Sequence, residues 1–545
     1  MPEGAPTARP RVASRLATTL LALLLAALAG CGGSADDGIL HRGIGPEPAT
    51  LDPQVANTTQ AFTPLRDLFE GLVAFSADGE LVPAAAAGHE VSADYLVYTF
   101  TLREDGRWSN GEPVTAEDFV YSLRRLVDPA TAAFYAKHLG AIENADEIVA
   151  GRLPPAELGV RALADGRLEI RLAYPQAYFL QLLAMPGAYP LHRASVEQHG
   201  RDFTRPGLLV SNGAYRLADR QLGSWIELER NPHYRDAADV AIERVRHHVT
   251  AEESAELYRY RAGELHVTQN VPPEAIAQLR AERPDELRIA RFLGTYFYGF
   301  NLETAKLGEQ PTLRRALSMA IDRETLTDKV IGRGELPAWG WVPPGVINYE
   351  PRRFNYADMP RDERHATARR LYREAGYGPD NPLEIEIRYN TAETHEQIAL
   401  AVQAMWRDVL GFEATLVNEE FRVLVSNILE GSNTEIWRLS WNGDYPDATS
   451  FLSIFESADP SNLTGYANAS FDALMKSAAQ QTDPERRRLF LEEAEKTMLE
   501  DHPVIPLYFA VSKHLVSPRV AGWRDNVLDI HYSRDLRLRD PNDDN

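Results

Sequence analysis

The sequence predicts an α/β fold with more than one domain, and three observations lead to this prediction. The chain has 545 residues, more than one hydrophobic core usually supports. Strand-like and helix-like patterns alternate along it. Residues 383–388 alternate as a strand, 395–410 have helical apolar spacing ended by Gly411, and 413–417 are again strand-like. This is a β-α-β unit, which implies a partly parallel sheet.

The N-terminus has the pattern of an export signal. Arginines at 9, 11 and 15 precede an apolar run over 16–29, which is too short to span a bilayer. The only cysteine, Cys31, ends the stretch Leu28-Ala29-Gly30-Cys31, which resembles the lipobox of bacterial lipoproteins. We expect a lipoprotein signal peptide over 1–30, a lipid on Cys31 and a flexible tether over 31–38. The mature chain then has neither a transmembrane helix nor a disulfide.

The net charge narrows the range of partners. The formal charge is −22, and residues 1–30 contribute +2, so the mature chain carries −24. Such a surface repels nucleic acid and anionic lipid headgroups, which excludes both as partners. The composition fits an exported body that reaches the membrane only through its lipid.

Other elements follow from local patterns. Residues 98–102, 168–172 and 225–228 read as strands. The sequence Thr115-Ala116-Glu117-Asp118 predicts a helix N-cap, and Pro311 predicts the first turn of another helix.

The stretch 436–445 carries the first functional hypothesis. If it is a strand, Arg438, Ser440 and Asn442 share one face, while Leu439 and Trp441 take the other. Asn442-Gly443-Asp444 then turns the chain back. A guanidinium and a carboxylate so placed could hold the two ends of a small zwitterion. The alternative is a surface strand with an ordinary ion pair.

His395 is a candidate contact for a carboxylate. Thr394 is predicted to cap the helix that follows, which places His395 in its first turn. Free backbone N–H groups and the helix dipole favour an anion there. A solvated histidine at a helix end is the alternative.

Catalytic signatures are missing from the sequence. It contains no Gly-x-Ser-x-Gly elbow, phosphate-binding loop, His-Glu-x-x-His helix or Gly-x-Gly-x-x-Gly fingerprint. A single cysteine excludes thiolate metal clusters. We therefore expect a protein that is not an enzyme and needs no metal or cofactor. Carboxylates can still converge from distant positions, which leaves an exported hydrolase acting on peptides or glycans as an alternative.

Several stretches together are similar to one protein family. They are Arg66-Asp67-Leu68-Phe69-Glu70-Gly71-Leu72, 98–128, Ser211-Asn212-Gly213-Ala214-Tyr215, Gly294-Thr295-Tyr296-Phe297-Tyr298 and 441–451. In this order they resemble the family 5 solute-binding proteins of bacterial ABC importers, in the oligopeptide-binding branch that includes murein-peptide binders. The likeness runs from about residue 50 to about residue 527.

The resemblance implies a two-lobed periplasmic-binding-protein fold, type II-like with an extra third domain, that closes over a ligand in the cleft between its lobes. The first lobe would comprise 39–69, 192–293 and 512–545. The extra domain would comprise 70–191, and the second lobe 294–511.

The resemblance also assigns roles to individual residues. Asp444 would bind the peptide ammonium, and Arg438 and His395 would bind its carboxylate. The remaining contacts would pair with the peptide backbone or line side-chain pockets: Ser440, Asn442, Thr59, Asn57, Trp441, Phe421 and Tyr135. Core packing is the alternative for each of the three aromatic residues.

Four positions depart from the family pattern. Gly299 replaces an acidic residue, Ile331 replaces a lysine that helps with longer peptides, and Asn57 stands where a glutamate can occur. A further pocket arginine has no counterpart around Ile428. These departures change the charge of the pocket. The presence of Arg438 and His395 without that lysine favours short ligands such as tripeptides, including murein peptides.

The leading hypothesis is a monomeric receptor, lipid-anchored on the periplasmic side of the cell envelope. It would bind short peptides and deliver them to an inner-membrane ABC permease. The alternatives are the hydrolase, a receptor of the same fold for a sugar, nickel chelate or haem, and a lipoprotein used for signalling or adhesion.

Overall fold

The computed structural model describes residues 38–431 and 434–539. The signal peptide over 1–30, Cys31 and all but the last residue of the predicted tether lie outside this range. Within it, no helix is long and apolar enough to cross a membrane.

The strands lie at the following positions: β1 Ile39–Gly43, β2 Val73–Phe75, β3 Leu81–Pro83, β4 Ala86–Val91, β5 Val97–Leu102, β6 Val160–Ala162, β7 Leu168–Arg171, β8 Tyr215–Gln221, β9 Trp225–Arg230, β10 Arg244–His248, β11 Leu287–Phe300, β12 Leu336–Pro337, β13 Glu386–Asn390, β14 Thr415–Glu419, β15 Ile436–Asn442, β16 Val504–Leu515, β17 Val520–Ala521 and β18 Arg537–Leu538.

The α-helices lie at the following positions: α1 Thr59–Leu68, α2 Ala116–Val127, α3 Ala145–Val149, α4 Phe179–Leu183, α5 Arg193–His199, α6 Glu253–Arg261, α7 Ile276–Glu282, α8 Ala305–Gly308, α9 Pro311–Met319, α10 Arg323–Thr325, α11 Arg361–Glu374, α12 Glu393–Leu410, α13 Phe421–Leu429, α14 Thr449–Leu452, α15 Ala469–Gln480 and α16 Pro484–Asp501. A π-helical turn, Leu326–Ile331, follows α10, and short 3-10 helices lie in the loops.

The largest hydrophobic core surrounds a six-stranded mixed sheet. Its strand order is β12-β16-β11-β15-β13-β14, and the buried residues around it come from 293–507. Strands β13 and β14 pair in parallel with α12 between them, which confirms the predicted β-α-β unit.

Two further cores are built mainly from residues in the first half of the chain. One surrounds the sheet β1-β10-β9-β8 and draws buried residues from 40–69, 189–267 and 516–536, together with Trp108. The other surrounds the sheet β4-β5-β7-β6 and is built mainly from 72–188. The capping box predicted at the start of α2 is present, because Thr115 and Asp118 exchange hydrogen bonds.

Strands β11 and β16 connect the large core to the rest of the molecule. They pair antiparallel from Leu287 opposite Leu515 to Gly299 opposite Val504. The register shifts between Arg291 and Thr295 of β11, so extra residues bulge out of the ladder there. A bulge bends and twists a strand locally.

The predicted cap of α12 is wrong. The helix begins at Glu393, its N-cap is Ala392, and no side chain caps it. The chain enters the helix almost directly from β13, and the hydroxyl of Thr394 instead accepts a hydrogen bond from Arg333, at 3.1 Å. His395 nevertheless lies in the first turn, although its N–H donates to the carbonyl of Ala392.

Candidate functional site

A cleft of about 400 Å³ opens where the three cores meet. Residues from several distant segments line it: α1 and the turn before it, the core built from 72–188, the bulge of β11, the turn after β15, and the segment after β16. Five of the predicted site residues belong to this lining, namely Asn57, Thr59, Tyr135, Asn442 and Asp444.

Asp444 supplies negative charge to the cleft. Its backbone N–H donates to the hydroxyl of Ser450 at 3.0 Å, which fixes the turn after β15. Within the described chain its one cationic neighbour is His138, at 3.9 Å between Nε2 and Oδ2. Burial raises the pKa of Asp444, and burial lowers the pKa of His138. His138 is therefore a weak partner for the carboxylate, and a ligand ammonium would be a stronger one.

Tyr135 lies beside this carboxylate and packs between other rings. Its ring centroid is 6.0 Å from that of Phe62 and 4.9 Å from that of His138. Burial and then the charge of Asp444 raise the pKa of Tyr135 to about 12, so the phenol stays protonated at neutral pH. The rings of Phe62, Tyr135 and His138 restrict the cleft on the side of Asp444.

Asn442 reaches the cleft because the neighbouring strand has no side chain opposite it. Gly294 pairs with Asn442 across β11 and β15, and a Cβ on Gly294 would lie 2.7 Å from the Asn442 Oδ1. Ser440 is exposed two residues earlier on the same face of β15, as the alternation predicted.

Arg438 is held in place without a protein carboxylate. Its guanidinium donates to Asn390 Oδ1 and to Ser440 Oγ, each at 2.9 Å. Its Cζ lies 4.4 Å from the centroid of the Tyr296 ring. No ion pair to Arg438 occurs within 38–431 and 434–539. A positioned guanidinium with neutral partners can accept an anion from outside the protein.

His395 joins Arg438 through the same tyrosine. The Tyr296 hydroxyl lies 3.2 Å from His395 Nδ1, and Tyr296 also stacks on Tyr508 with centroids 4.6 Å apart. Burial, together with the charge of Arg438, lowers the pKa of His395 to about 4. If the phenol donates to Nδ1, the neutral ring can donate its Nε2–H to a ligand carboxylate. Arg438 and His395 thus form one cluster of hydrogen-bond donors, in which Arg438 carries the positive charge.

Five predicted contacts lie outside the lining of the cleft: Arg438, His395, Ser440, Trp441 and Phe421. Trp441 packs against the large core, and its Nε1–H donates to the Ser450 carbonyl at 2.6 Å. Phe421 is half exposed at the first position of α13. The pocket roles of these aromatic residues remain predictions. A wider surface groove of about 920 Å³ contains none of the predicted site residues.

The structure adds residues that the sequence did not single out for the site. His138, Asn390 and Arg66 have no motif that marks them as functional, although Arg66 opens one of the stretches quoted for the family resemblance. Tyr296 lies within another of these stretches, and its role became visible only from the pairing of β11 with β15.

Gly299 has a packing reason in this structure. It pairs with Trp437, and a Cβ at 299 would lie 2.3 Å from carbons of the indole. An acidic side chain could enter here only if Trp437 moved. Ile331 is buried at the end of the π-helical turn and offers no polar group to a ligand.

A two-lobed α/β fold with a charged cleft where its cores meet is typical of ligand-binding proteins of the clamp type. Comparisons with known proteins agree. The family model of bacterial extracellular solute-binding proteins, family 5 middle, matches residues 80–462. The chain belongs to this family.

Three relatives show how far the likeness extends. The chain is 37% identical over 502 residues to the periplasmic murein peptide-binding protein MppA of Escherichia coli, covering 92% of this chain and 93% of that protein. It is 36% identical over 539 residues to the periplasmic oligopeptide-binding protein OppA of Salmonella typhimurium, covering 96% and 98%. The unliganded open form of the MppA murein tripeptide-binding protein superposes with a TM-score of 0.84 at 36% identity, over 92% of this chain and 98% of that one. The two-lobed α/β fold predicted from the sequence is confirmed.

Proposed function

We propose that this protein captures short peptides in the cleft and delivers them to an inner-membrane ABC permease, without chemical change. The observation that carries the proposal is the position of Asp444, a carboxylate with no full cationic partner among the described residues, in the cleft where the lobes meet. The names of the relatives, which are binding proteins for peptides, support it.

Asp444 binds the ammonium of the peptide. The ligand brings the positive charge that His138 supplies weakly, so a buried charge pair forms on closure. Asn57, Thr59 and Asn442 offer amide and hydroxyl groups to the peptide backbone. Tyr135 packs against the first residues of the peptide.

Arg438 and His395 bind the carboxylate at the other end. Arg438 has no acidic partner in the described chain and is already oriented by Asn390 and Ser440. Ser440 continues the backbone contacts between the two ends, while Trp441 and Phe421 line more distant side-chain pockets.

The spacing of the two charged groups favours a short ligand. Arg438 and Asn442, which precedes the turn that carries Asp444, are four positions apart on β15, about 13 Å of strand. An extended tripeptide is about 10 Å long. Tripeptides, murein peptides among them, therefore fit better than pentapeptides.

Closure would occur at the bulge in β11. The lobes we propose are 39–69 with 192–293 and 512–545, and 294–511, with 70–191 as the extra domain. The three largest hydrophobic cores among the described residues support this division. The protein would act as a monomer, exported by its signal peptide and held on the periplasmic side of a membrane by a lipid on Cys31. Replacement of Cys31 by Ser should release it from the membrane fraction.

Calorimetric titration with di- to pentapeptides tests the function. The expected result is strongest binding at three residues, with large losses when the N-terminus is acetylated or the C-terminus is amidated. Equal binding of blocked and free peptides would contradict recognition of the termini, and strongest binding at five residues would contradict the length. Hydrolysis of the peptides would favour the enzyme instead.

A further inference from the structure

A second, smaller cavity adjoins the cleft and is lined mostly by polar groups. Its volume is about 20 Å³, room for about one water molecule. Four of its lining residues also line the cleft: Thr59, Arg66, Gln269 and Asp529. We call this cavity the annex. The other charged or titratable side chains in its lining are Arg42, His514 and His531.

The charge of Arg42 is already balanced. Its Nη1 lies 4.0 Å from Asp67 Oδ2 and donates to the His531 carbonyl and the Ser533 hydroxyl. Arg42 and Asp67 are both buried, and Asp67 also accepts hydrogen bonds from Ser533. This pair is part of the core.

The charge of Asp529 is balanced as well. Its Oδ1 lies 2.8 Å from His514 Nε2 and 3.2 Å from His531 Nε2. His514 Nδ1 lies 2.9 Å from the Thr268 carbonyl, so this ring can carry two protons and one positive charge. Two imidazoles and a carboxylate are ligand types that a divalent cation accepts, but the guanidiniums of Arg42 and Arg66 line the same cavity and would repel one. A protonated His514 therefore neutralises Asp529.

Among the charged side chains that line the annex, Arg66 is the one whose charge no described residue balances. Its guanidinium forms no ion pair and no side-chain hydrogen bond with any residue of 38–431 or 434–539, and its Cζ lies 5.6 Å from the centroid of the Phe62 ring. Among the described residues that line the cleft, it is the single lysine or arginine. Closure removes water from the cleft, and an unpaired guanidinium that loses water needs an anionic partner.

We propose that Arg66 forms a subsite for an acidic side chain of the bound peptide, beside the ammonium site at Asp444. The inference rests on the proposed function and adds a side-chain preference to it. The guanidinium lies at the mouth of the annex, where Thr59 and Gln269 provide further polar groups for a carboxylate. The Arg66 guanidinium lies over the ring of Phe62, which limits where the guanidinium can move. Because Asp444 faces the same cleft, the two charges suit a ligand whose ammonium and acidic side chain are close together.

Titration of tripeptides tests the subsite and its position. Wild-type protein is titrated with Ala-Ala-Ala and with peptides that carry Glu, Gln or Lys at each position in turn. The same peptides are titrated into Arg66→Gln, Arg66→Lys and the control Arg369→Gln, which removes one exposed arginine on α11, away from the cleft. Thermal unfolding verifies that each variant is folded.

The expected result is a preference for Glu over Gln at one position, of roughly tenfold to a hundredfold in Kd. Arg66→Gln should abolish this preference, Arg66→Lys should keep part of it, and Arg369→Gln should leave it unchanged. Equal Kd values for Glu and Gln at every position of the wild type would overturn the subsite. So would an Arg66→Gln variant that weakens all peptides by one factor, because Arg66 would then act in lobe closure, for example against Asp444. If no peptide binds, Ala-Ala-Ala included, the proposed function fails and the subsite with it.

Discussion

The guanidinium of Arg438 lies over the ring of Tyr296, with Cζ 4.4 Å from the ring centroid, while the hydroxyl of the same tyrosine lies 3.2 Å from His395 Nδ1. One aromatic side chain thus contacts both groups that we propose for the ligand carboxylate. The stack keeps the guanidinium plane fixed before any ligand arrives, so little side-chain entropy is lost on binding.

The first prediction concerns Arg438→Lys. Lysine keeps the charge but loses the planar fork and the stack on Tyr296. We expect affinity for a tripeptide with a free C-terminus to fall by about 1.5–3 kcal/mol. The same peptide with a C-terminal amide should bind both proteins equally, as measured by calorimetry. An equal loss for both peptides would show that Arg438 supports the fold of the site and does not read the carboxylate.

The second prediction concerns Asp444→Asn. Asparagine preserves size and the turn but leaves the peptide ammonium without a counter-charge, which should cost about 2–5 kcal/mol of binding free energy. An N-acetylated peptide serves as the control, since it carries no ammonium and should bind both proteins alike. Retention of full affinity for free peptides would remove the proposed anchor.

The third prediction concerns pH and His395. In the free protein the pKa of His395 is lowered to about 4, so the ring is neutral at pH 6. A bound carboxylate favours the imidazolium and raises this pKa, so binding takes up a proton and strengthens as the pH falls between the two values. Asp444 acts in the opposite sense, because its pKa is raised in the free protein and an ammonium lowers it.

The contributions of His395 and Asp444 to proton uptake can be separated with one pair of peptides. Calorimetry at pH 6 in two buffers of different ionisation enthalpy gives the proton uptake for a free and a C-terminally amidated tripeptide. We expect the free peptide to show the larger uptake, and His395→Gln to remove the difference. An identical uptake for both peptides would exclude His395 as the carboxylate contact.

The fourth prediction concerns Gly299→Ala. The added methyl group would overlap Trp437, which is buried and packs edge-on against Phe297 at 5.7 Å between centroids. We expect a loss of about 1–3 kcal/mol in the free energy of unfolding, measured by chemical denaturation. The control is Gly88→Ala, where a Cβ meets nothing within 4 Å. Similar stabilities for the two variants would mean that the indole moves aside freely.

Local patterns were enough to predict much of the fold. The alternation over 383–388, the helical spacing after it and Gly411 predicted the β-α-β unit, although each boundary moved by a few residues. The prediction that Thr394 caps α12 was wrong. Its hydroxyl accepts a hydrogen bond from Arg333, which is distant in the sequence and belongs to no local pattern. The family likeness, and not periodicity, supplied the two-lobed arrangement.

The charged site was predicted only in part, because local patterns reveal only residues that are close together in the sequence. Arg438 and Asp444 were visible because they lie on one strand and the turn after it. His138 and Arg66 come from distant segments that only the tertiary fold brings to the cleft. Of the two hydrogen-bond partners of Arg438, Ser440 lies on the face predicted for it, but Asn390 could not be predicted, since it is 48 positions away in the sequence.

The path of the chain through the cores determines when each is complete during synthesis. The large core lies within one continuous stretch, 293–507, and can be finished as soon as that stretch has been made. The core around β1 must wait for the last residues, because Asp67 is buried against Ser533 and Thr268 against His514. A chain that ended shortly after β16 would therefore have a finished large core and an open, unstable core around β1. Completion of that second core depends on the segment 516–536.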